Sequence, residues 1–342
     1  MKEKILVTGG TGYIGSHTAV ELISAGYEVL IADNLSNSNV EVLDGIERIS
    51  GYKPEFINVD CSDYEAFKLA MKKYPEIRYA IHFAAYKAVG ESVAKPLEYY
   101  RNNLMSLINL IEILKYKDSS GIVFSSSCTV YGQPELDLLP LKEDAPVVPS
   151  PSPYGKSKQM CEDILKDSVY ALNNFKAVSL RYFNPVGAHP SLEIGELPLG
   201  VPQNLMPVIT QTAAGLREKM LVFGNDYNTP DGTCIRDYIY VCDLAKAHVK
   251  AVERVASGAE DYEVFNLGAG KGLSVLELLN IFKTVTGVNV PYEIAGRREG
   301  DVEQLWADPT KANRLLEWSA DTPVNEIAAS AWNWEKKIRG IK

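Results

Sequence analysis

Residues 8–16 read TGGTGYIGS, and the way this stretch is understood decides the fold. Just before it, KILV (4–7) is a short apolar run of the kind found in a buried strand. Just after it, IGSHTAVELISAG (14–26) has helical periodicity. Gly9, Gly12 and Gly15 stand three residues apart across this strand-to-helix turn. A backbone without side chains can turn tightly there and approach a pyrophosphate seated on the helix N-terminus. The triplet alone is a weak signal, since any tight turn favours glycine. Its place in a strand–helix unit strengthens it, as does Asp33, eighteen residues past Gly15 at the end of the next strand. A carboxylate there suits the ribose hydroxyls of an adenosine better than it suits a solvated loop. The stretch ADNLSNSN (32–39) holds no Arg or Lys, so a 2′-phosphate would meet Asp33 and no cation. The expected cofactor is NAD, not NADP.

Outward from this unit, EVLIADN, EFINVDC, YAIHFAA, GIVFSSS and AVSLRYFN read as further buried strands. Helical patterns separate them, one predicted to open on a capping box of Ser62 with Glu65. Alternating β and α predicts an α/β fold, a doubly wound parallel sheet of Rossmann type with helices on both faces. After residue 183 the pattern loosens, and NPVGAHPSLEIGELPLGVPQN (184–204) reads as a long loop leading into a second, smaller mixed α/β domain. The division expected is 1–183 for the dinucleotide and 184–342 for the substrate, with about 236–258 packing back on the first domain.

Composition narrows the classes. The 342 residues are 46% apolar with a net charge of −9, which offers no basic surface for nucleic acid or an anionic membrane. No apolar run approaches the ~20 residues of a membrane span, and MKEK leads straight into a strand and not into a signal-peptide core. Five cysteines without a C-x-x-C pair, and four scattered histidines, argue against disulfides and a metal centre. They suit a cytoplasmic protein.

The chemistry is carried by SPYGKSK (152–158). Ser152 as N-cap and Pro153 in the first turn predict a helix start, and Tyr154 and Lys158 then share one helical face. By itself this spacing is common. Here the helix follows the fifth strand of a nucleotide-binding sheet, and Ser127 stands at that strand's end. A free tyrosine, with a pKa near ~10, is a poor base at neutral pH. Two positive charges, Lys158 and an oxidised nicotinamide, are expected to lower that value. The phenolate could then take a proton from a sugar hydroxyl while hydride leaves the same carbon. Ser127 would relay that proton or hold the hydroxyl. Polar side chains also gather where the other strands stop, in DC (60–61), FAAYK (83–87), SSSCT (125–129) and YFNP (182–185).

Gly9-x-x-Gly12-x-x-Gly15 with Tyr154-x-x-x-Lys158 resembles the extended short-chain dehydrogenase/reductase family. Further stretches narrow the likeness to its UDP-sugar 4-epimerases: IHFAAYKAVGESVAKPLEYYRNN, RYFNPVGAHPS, NLMP, FGNDYNTPDGTCIRDYI, NLGAG and RREGD. The likeness covers nearly the whole chain. It implies an isomerase that interconverts UDP-glucose and UDP-galactose through a transient 4-keto sugar, with NAD kept bound. It places Tyr154, Lys158 and Ser127 on the catalytic positions. Among NAD contacts it places Tyr13 and Ile14 beside the glycines, then Asp33, Asn34, Leu35, Ser36, Asn37 and Ser38. Asp60, Cys61, Phe83, Ala84, Ala85, Lys87, Asn102 and Phe183 complete them, together with Tyr154 and Lys158. For the UDP-sugar it implies Ser127, Tyr154, Asn184, Asn204, Leu205, Arg236 and the run from Arg298 to Asp301. A guanidinium suits a diphosphate through bidentate charge-assisted bonds.

Two alternatives stand against this. Sugar-nucleotide dehydratases on the same scaffold carry Thr-Asp-Glu before VYG, where this chain has Ser127, Cys128 and Thr129. A silent NAD-sensing relative would be expected to lack the Tyr or the Lys. The resemblance also implies a homodimer, built on the helix of LEYYRNNLMSLINLIEILKYK and the one opening at Tyr154. Its apolar positions Leu104, Leu107, Ile108, Ile111 and Leu114 could equally be core. Finally, Leu305 falls where relatives restricted to plain hexoses have a Tyr. The smaller side chain is expected to leave room for an N-acetyl group at C2, though it could simply fill a gap beside Trp306.

Overall fold

Strands buried on both faces need no alternation of polar and apolar residues, and the central sheet is built from such runs. The computed structural model describes residues 3–117, 119–258, 260–298 and 301–342. Its strands are β1 (Lys4–Thr8), β2 (Glu28–Asp33), β3 (Glu55–Asn58), β4 (Tyr79–His82), β5 (Ser120–Ser125), β6 (Phe175–Tyr182) and β7 (Asn184–Val186). They continue with β8 (Met220–Phe223), β9 (Ile235–Tyr240), β10 (Tyr262–Leu267), β11 (Gly272–Ser274), β12 (Tyr292–Ala295) and β13 (Gln304–Leu305). The helices of the first half are α1 (Tyr13–Ser24), α2 (Val42–Ser50), α3 (Tyr64–Met71), α4 (Val89–Ala94), α5 (Pro96–Leu114) and α6 (Pro153–Ala171). Those of the second are α7 (Leu205–Ala213), α8 (Val241–Ser257), α9 (Val275–Thr286), α10 (Thr310–Leu315) and α11 (Val324–Arg339).

Seven strands pair in the order β10-β6-β5-β4-β1-β2-β3, all parallel. From β1 the chain builds outward in both directions, so the topological switch falls between β1 and β4. Ligands of open α/β sheets sit beyond the carboxyl ends of the strands at such a point. Ile5 and Val7 point into the layer shared with Leu244 and Val252 of α8, while Leu6 points into the layer shared with Phe67 of α3 and Leu107 of α5. This is the two-residue strand period acting on a sheet covered on both sides.

Two elements of the second half pack with the seven-stranded sheet and its helices. Helix α8 packs on α1, and β10 also joins the sheet as its edge, paired with β6. The smaller unit holds β7, β9, β11 and β13 in one sheet and β8 with β12 in another. Its core gathers Met206, Phe282 and Trp332 from α7, α9 and α11.

One local expectation is corrected. The N-cap of α3 is Asp63, whose carboxylate accepts from Ala66 N at 3.1 Å, and not Ser62 in a box with Glu65. Ser62 is taken by Asp60, receiving both its backbone N–H at 2.8 Å and its hydroxyl at 2.7 Å on one oxygen. A capping box does form, at Ser274 and Glu277 on α9.

Candidate active site

The glycine turn meets the loop after β4 across the switch point. Gly9 has φ +71°, and a Cβ there would lie 2.7 Å from Ala84 N. A Cβ on Gly15 would lie 2.4 Å from the carbonyl oxygen of Gly9. Both positions therefore exclude a side chain, and the bare backbone at the N-terminus of α1 forms a cradle fit for a pyrophosphate. Asp33 closes the adjoining end. One carboxylate oxygen accepts from Leu35 N at 2.9 Å and Ser38 Oγ at 3.2 Å, the other from Thr11 N at 3.2 Å. Ser38 and Thr11 hydroxyls lie 2.7 Å apart, so the bonds of Asp33 and Ser38 to Thr11 tie residues 33–38 to the glycine turn. Asn34 donates to Asp60 at 3.3 Å, joining the ends of β2 and β3. These residues fit an adenosine dinucleotide without a 2′-phosphate.

Helix α5 ties the next strand ends together through polar residues the sequence reading did not single out. Asn103 accepts from Tyr86 N at 2.8 Å and donates to Tyr86 O at 3.1 Å and Ser157 Oγ at 3.0 Å. Ser106 donates to Ala84 O at 3.3 Å, and Asn109 to the carbonyls of Cys61 and Ser62 at 2.9 Å each. The available signal was the period: Asn103, Ser106 and Asn109 recur at every third position, on the side of the helix that also buries Leu107, Leu110 and Leu114. Asn102 donates to Asn103 at 3.0 Å. Phe83 packs 4.8 Å from the neutral His248 ring, and Tyr13 OH donates to Gly187 O at 2.6 Å, crossing from α1 to the smaller unit.

The helix carrying Tyr154 starts as expected, with Ser152 Oγ accepting from Gly155 N at 3.1 Å and Pro153 in the first turn. Lys158 is 3% exposed, donates to Ser125 O, and lies 4.6 Å from the Phe124 ring and 6.0 Å from that of Tyr154. Burial pushes the Tyr154 hydroxyl up to about 12, against the lowering effect of a hydrogen bond with Ser127. Burial likewise pulls Lys158 down to about 8. Desolvation therefore dominates at Tyr154 within the chain itself, where only one of the two positive charges expected to lower it, Lys158, is present. Ser127 is 8% exposed and takes hydrogen bonds from Thr129 N at 3.2 Å and Thr129 Oγ1 at 3.0 Å.

The other residues matched to the sugar nucleotide fall on β7, β9 and β13, at the start of α7 and in the segment before β13. Asn184 opens β7, which pairs with β9. Arg236 on β9 faces Leu305 on β13 in the parallel register and lies 3.9 Å from Asp301. Arg298 pairs with both oxygens of Asp301, at 3.1 and 2.7 Å, and its guanidinium is 5.4 Å from the Phe223 ring. Glu299 and Gly300 lie outside the described residues. Leu305 is 5% exposed, in a cluster with Cys128 and Phe183. Asn204 and Leu205 start α7, and Asn204 donates to Glu196 at 2.7 Å. Asp237, next to Arg236, accepts from the N–H groups of Ala269 at 2.8 Å, Gly270 at 3.1 Å and Ala307 at 3.2 Å. Burial raises it to about 6. It fastens β9 to the segments on either side, and only the folded chain reveals it, because its partners are 30 to 70 residues away. Among the described residues no group of three or more His, Cys, Asp or Glu could hold a metal ion.

A glycine turn and an Asp33 anchor at the switch point, with a Tyr/Lys pair beyond β5, define an extended short-chain dehydrogenase/reductase. The model of the family described as GDP-mannose 4,6 dehydratase matches residues 6–331. The UDP-glucose 4-epimerase of Bacillus subtilis is 50% identical over 341 residues, spanning 99% of this chain and 98% of its own. A solved UDP-glucose 4-epimerase from Bifidobacterium longum, in complex with NAD+ and UDP, superposes with a TM-score of 0.93 at 43% identity, covering 99% and 100% of the two chains. The UDP-Glc/GlcNAc 4-epimerase of Campylobacter jejuni superposes with a TM-score of 0.83 at 36% identity, covering 98% and 100%. The chain belongs to the UDP-glucose 4-epimerase family.

Proposed function

We infer that the protein is an NAD-dependent isomerase that interconverts UDP-glucose and UDP-galactose at C4. The observation carrying this reading is half-buried Tyr154 and buried Lys158 beside Ser127, just beyond β5 of the sheet whose β1 leads into the glycine cradle. Gly9, Gly15 and Asp33 would hold NAD, which would supply reversible hydride acceptance at C4. The chain's own residues handle the proton. Tyr154 takes it from the C4 hydroxyl and later gives it back, Ser127 holds that hydroxyl, and Lys158 holds positive charge beneath the phenol. Because the phenol stands at about 12 within the chain, the cofactor's positive charge is the remaining influence able to favour its phenolate at neutral pH. Arg236 and Arg298 suit the diphosphate. Their pairing with Asp301 keeps the two guanidinium groups near one another.

Residues 1–183 then hold the cofactor and 184–342 the sugar nucleotide, with α8 and β10 returned to the sheet. The dehydratase reading lacks its carboxylates: the matching positions are Ser127, Cys128 and Thr129. Incubating the purified protein with UDP-galactose and resolving products by NMR tests the reading. UDP-glucose should appear without added NAD; stoichiometric NADH release, or a 4-keto-6-deoxy sugar, would overturn it.

The substrate range extends to N-acetylated UDP-sugars in this reading, because Leu305, clustered with Cys128 and Phe183 and paired with Arg236, lacks the reach of a tyrosine ring. The protein works as a cytoplasmic homodimer. Leu107, Ile111 and Leu114 of α5 are spent in the protomer's own core. Leu97 and Met105 of α5 and Met160 and Tyr170 of α6 stay exposed, which supports these two helices as the subunit contact. Light scattering at micromolar concentration should give twice the 37.7 kDa chain mass. The described cysteines, Cys61, Cys128, Cys161, Cys234 and Cys242, are all free and buried, as suits a reducing compartment. No described helix is long and apolar enough to cross a membrane.

A further inference from the structure

Helix α6 carries a third polar residue on the face of Tyr154 and Lys158. Glu162 follows at the next step of four, so the three form one stripe. Opposite them β5 ends in Ser125, Ser126 and Ser127, and each serine meets a different member of the stripe. Ser125 O accepts from Lys158, Ser126 Oγ donates to Glu162 Oε1 at 2.5 Å, and Ser127 bonds with Tyr154. Arg181 on β6 grips the same carboxylate, with Nε 3.0 Å from Oε1 and a terminal nitrogen 2.6 Å from Oε2. Glu162 is 8% exposed and Arg181 5%. The guanidinium lies 4.8 Å from the Tyr131 ring, whose hydroxyl donates to Asn266 of β10 at 2.7 Å. One carboxylate thus joins α6 to the ends of β5 and β6, and through Arg181 and Tyr131 reaches β10.

Such a pair is poor evidence of stability, since a well-packed apolar replacement is often neutral or better. What it supplies is direction. A bidentate guanidinium and a hydroxyl fix both the rotation and the height of a helix, whereas an apolar contact lets it slide. Tyr154 needs that control, because a displacement of about 1 Å in a reacting group can cost about 100-fold in rate.

We propose that Glu162 is a positioning residue for the reaction: clamped by Ser126 and Arg181, it sets α6 so that Tyr154 meets Ser127, and its charge balances Arg181 behind the Tyr154/Lys158 pair. This rests on the epimerase reading above. The charged groups on this face are Lys158, Glu162 and Arg181. Tyr99 of α5 and Tyr182 of β6 also bear on Tyr154, and burial pushes both phenols up. Cys128 and Cys161 bear on it too and are pushed up to about 12. His82 of β4 faces Lys158 and is held down at about 3. All five are neutral near pH 7. Removing the Glu162 charge therefore leaves Arg181 unbalanced beside Lys158, and positive charge favours a phenolate.

The test uses the NAD-loaded enzyme with UDP-galactose, and wild-type turnover first settles the underlying reading. Glu162→Gln keeps an oxygen for Ser126 but loses the charge. It should retain NAD and an unchanged KM, with kcat reduced about 10- to 100-fold. Carbon NMR of tyrosine-labelled protein, with Tyr154 identified by Tyr154→Phe, should show its titration moved to lower pH. Adding Arg181→Met should move that titration back toward wild type without restoring kcat. Ser126→Ala, which leaves the ion pair whole, covers the case in which Glu162→Gln does not fold. It should lower kcat several-fold at constant KM and a little-changed melting temperature. An active wild type with an unshifted Tyr154 in a folded Glu162→Gln, or full kcat in Ser126→Ala, would overturn the proposal and leave the epimerase reading standing.

Discussion

At the residue scale, the phenol of Tyr154 and the methyls of Leu305 carry the two sharpest expectations. Tyr154→Phe keeps the ring's volume and removes the group that moves the proton. Turnover of UDP-galactose should fall by about 100- to 10,000-fold, the usual share of positioned acid–base catalysis. NAD content measured after denaturation should stay close to that of wild type. Retained turnover would shift favour to a silent NAD-binding role. Leu305 is buried with Cys128 and Phe183, so it serves packing whatever else it does. Wild type should epimerise UDP-N-acetylglucosamine measurably, and Leu305→Tyr should suppress that reaction while sparing UDP-glucose. Bulk alone discriminates weakly, by ~1–3 kcal/mol per methylene, and overpacking costs a similar amount. Equal loss on both substrates would therefore mean that the site is merely distorted.

At the element scale, the glycine turn shows what was legible and why. Gly9, Gly15, Asp33, Tyr154 and Lys158 could be read because each pair of them lies within one strand–turn–helix unit or one helical turn, where spacing fixes geometry. The six leading strands were legible for a similar reason, as short apolar runs, five of them largely buried and the edge strand β3 only half-buried. Ser62 was misread because a capping box is a pattern of residue types, and the nearer Asp60 competed for the same hydroxyl. The edge strand β10, the carboxylate of Asp237 and the Glu162–Arg181 pair were out of reach, since their meaning depends on partners brought together only by the finished sheet. Gly15→Ala tests the legible part. Its Cβ would stand 2.4 Å from Gly9 O, so the turn must open just where the pyrophosphate would sit. The purified variant should carry little NAD, while its far-ultraviolet circular dichroism stays helical and strand-like. Normal NAD content would move the cofactor site elsewhere. Ser152→Ala tests the helix start beside Tyr154: losing the bond to Gly155 should cost about 1 kcal/mol, seen as a lower melting temperature with NAD retained.

At the scale of the whole molecule, stability should fall with acid because three histidines are folded in neutral. Burial holds His17 and His82 at about 3 and His248 at about 4. In each ring Nε2 or Nδ1 is spoken for locally: His17 bonds Tyr13 O at 2.7 Å, His82 bonds Thr8 at 2.8 Å and His248 bonds Leu244 O at 2.8 Å. None is paired with a carboxylate that would welcome a proton. In the unfolded chain each would titrate near ~6.5. Below that value the unfolded state binds protons that the folded state refuses, so stability is lost as pH falls from about 6.5 toward 4. Asp237 works the other way. Its folded value of about 6 lies above the ordinary carboxylate range, so the folded state gains one proton as the histidines' penalty grows. At pH 5.5 the three rings together should cost about 4 kcal/mol and Asp237 should return roughly 1. Burial also holds the carboxyls of Glu21, Glu143 and Glu196 up, which offsets the rings' cost in the same way as Asp237. That cost is still large beside the roughly 5–15 kcal/mol that holds a typical domain together. Melting followed from pH 7.5 to 5 should show a steep decline beginning near 6.5. His248→Leu, which removes one ring packed against Phe83 and Tyr182, should flatten that decline by one proton even if its melting temperature at pH 7.5 is lower. A decline that begins only below pH 5, or an unchanged slope in His248→Leu, would show that the rings take up protons in the folded protein after all.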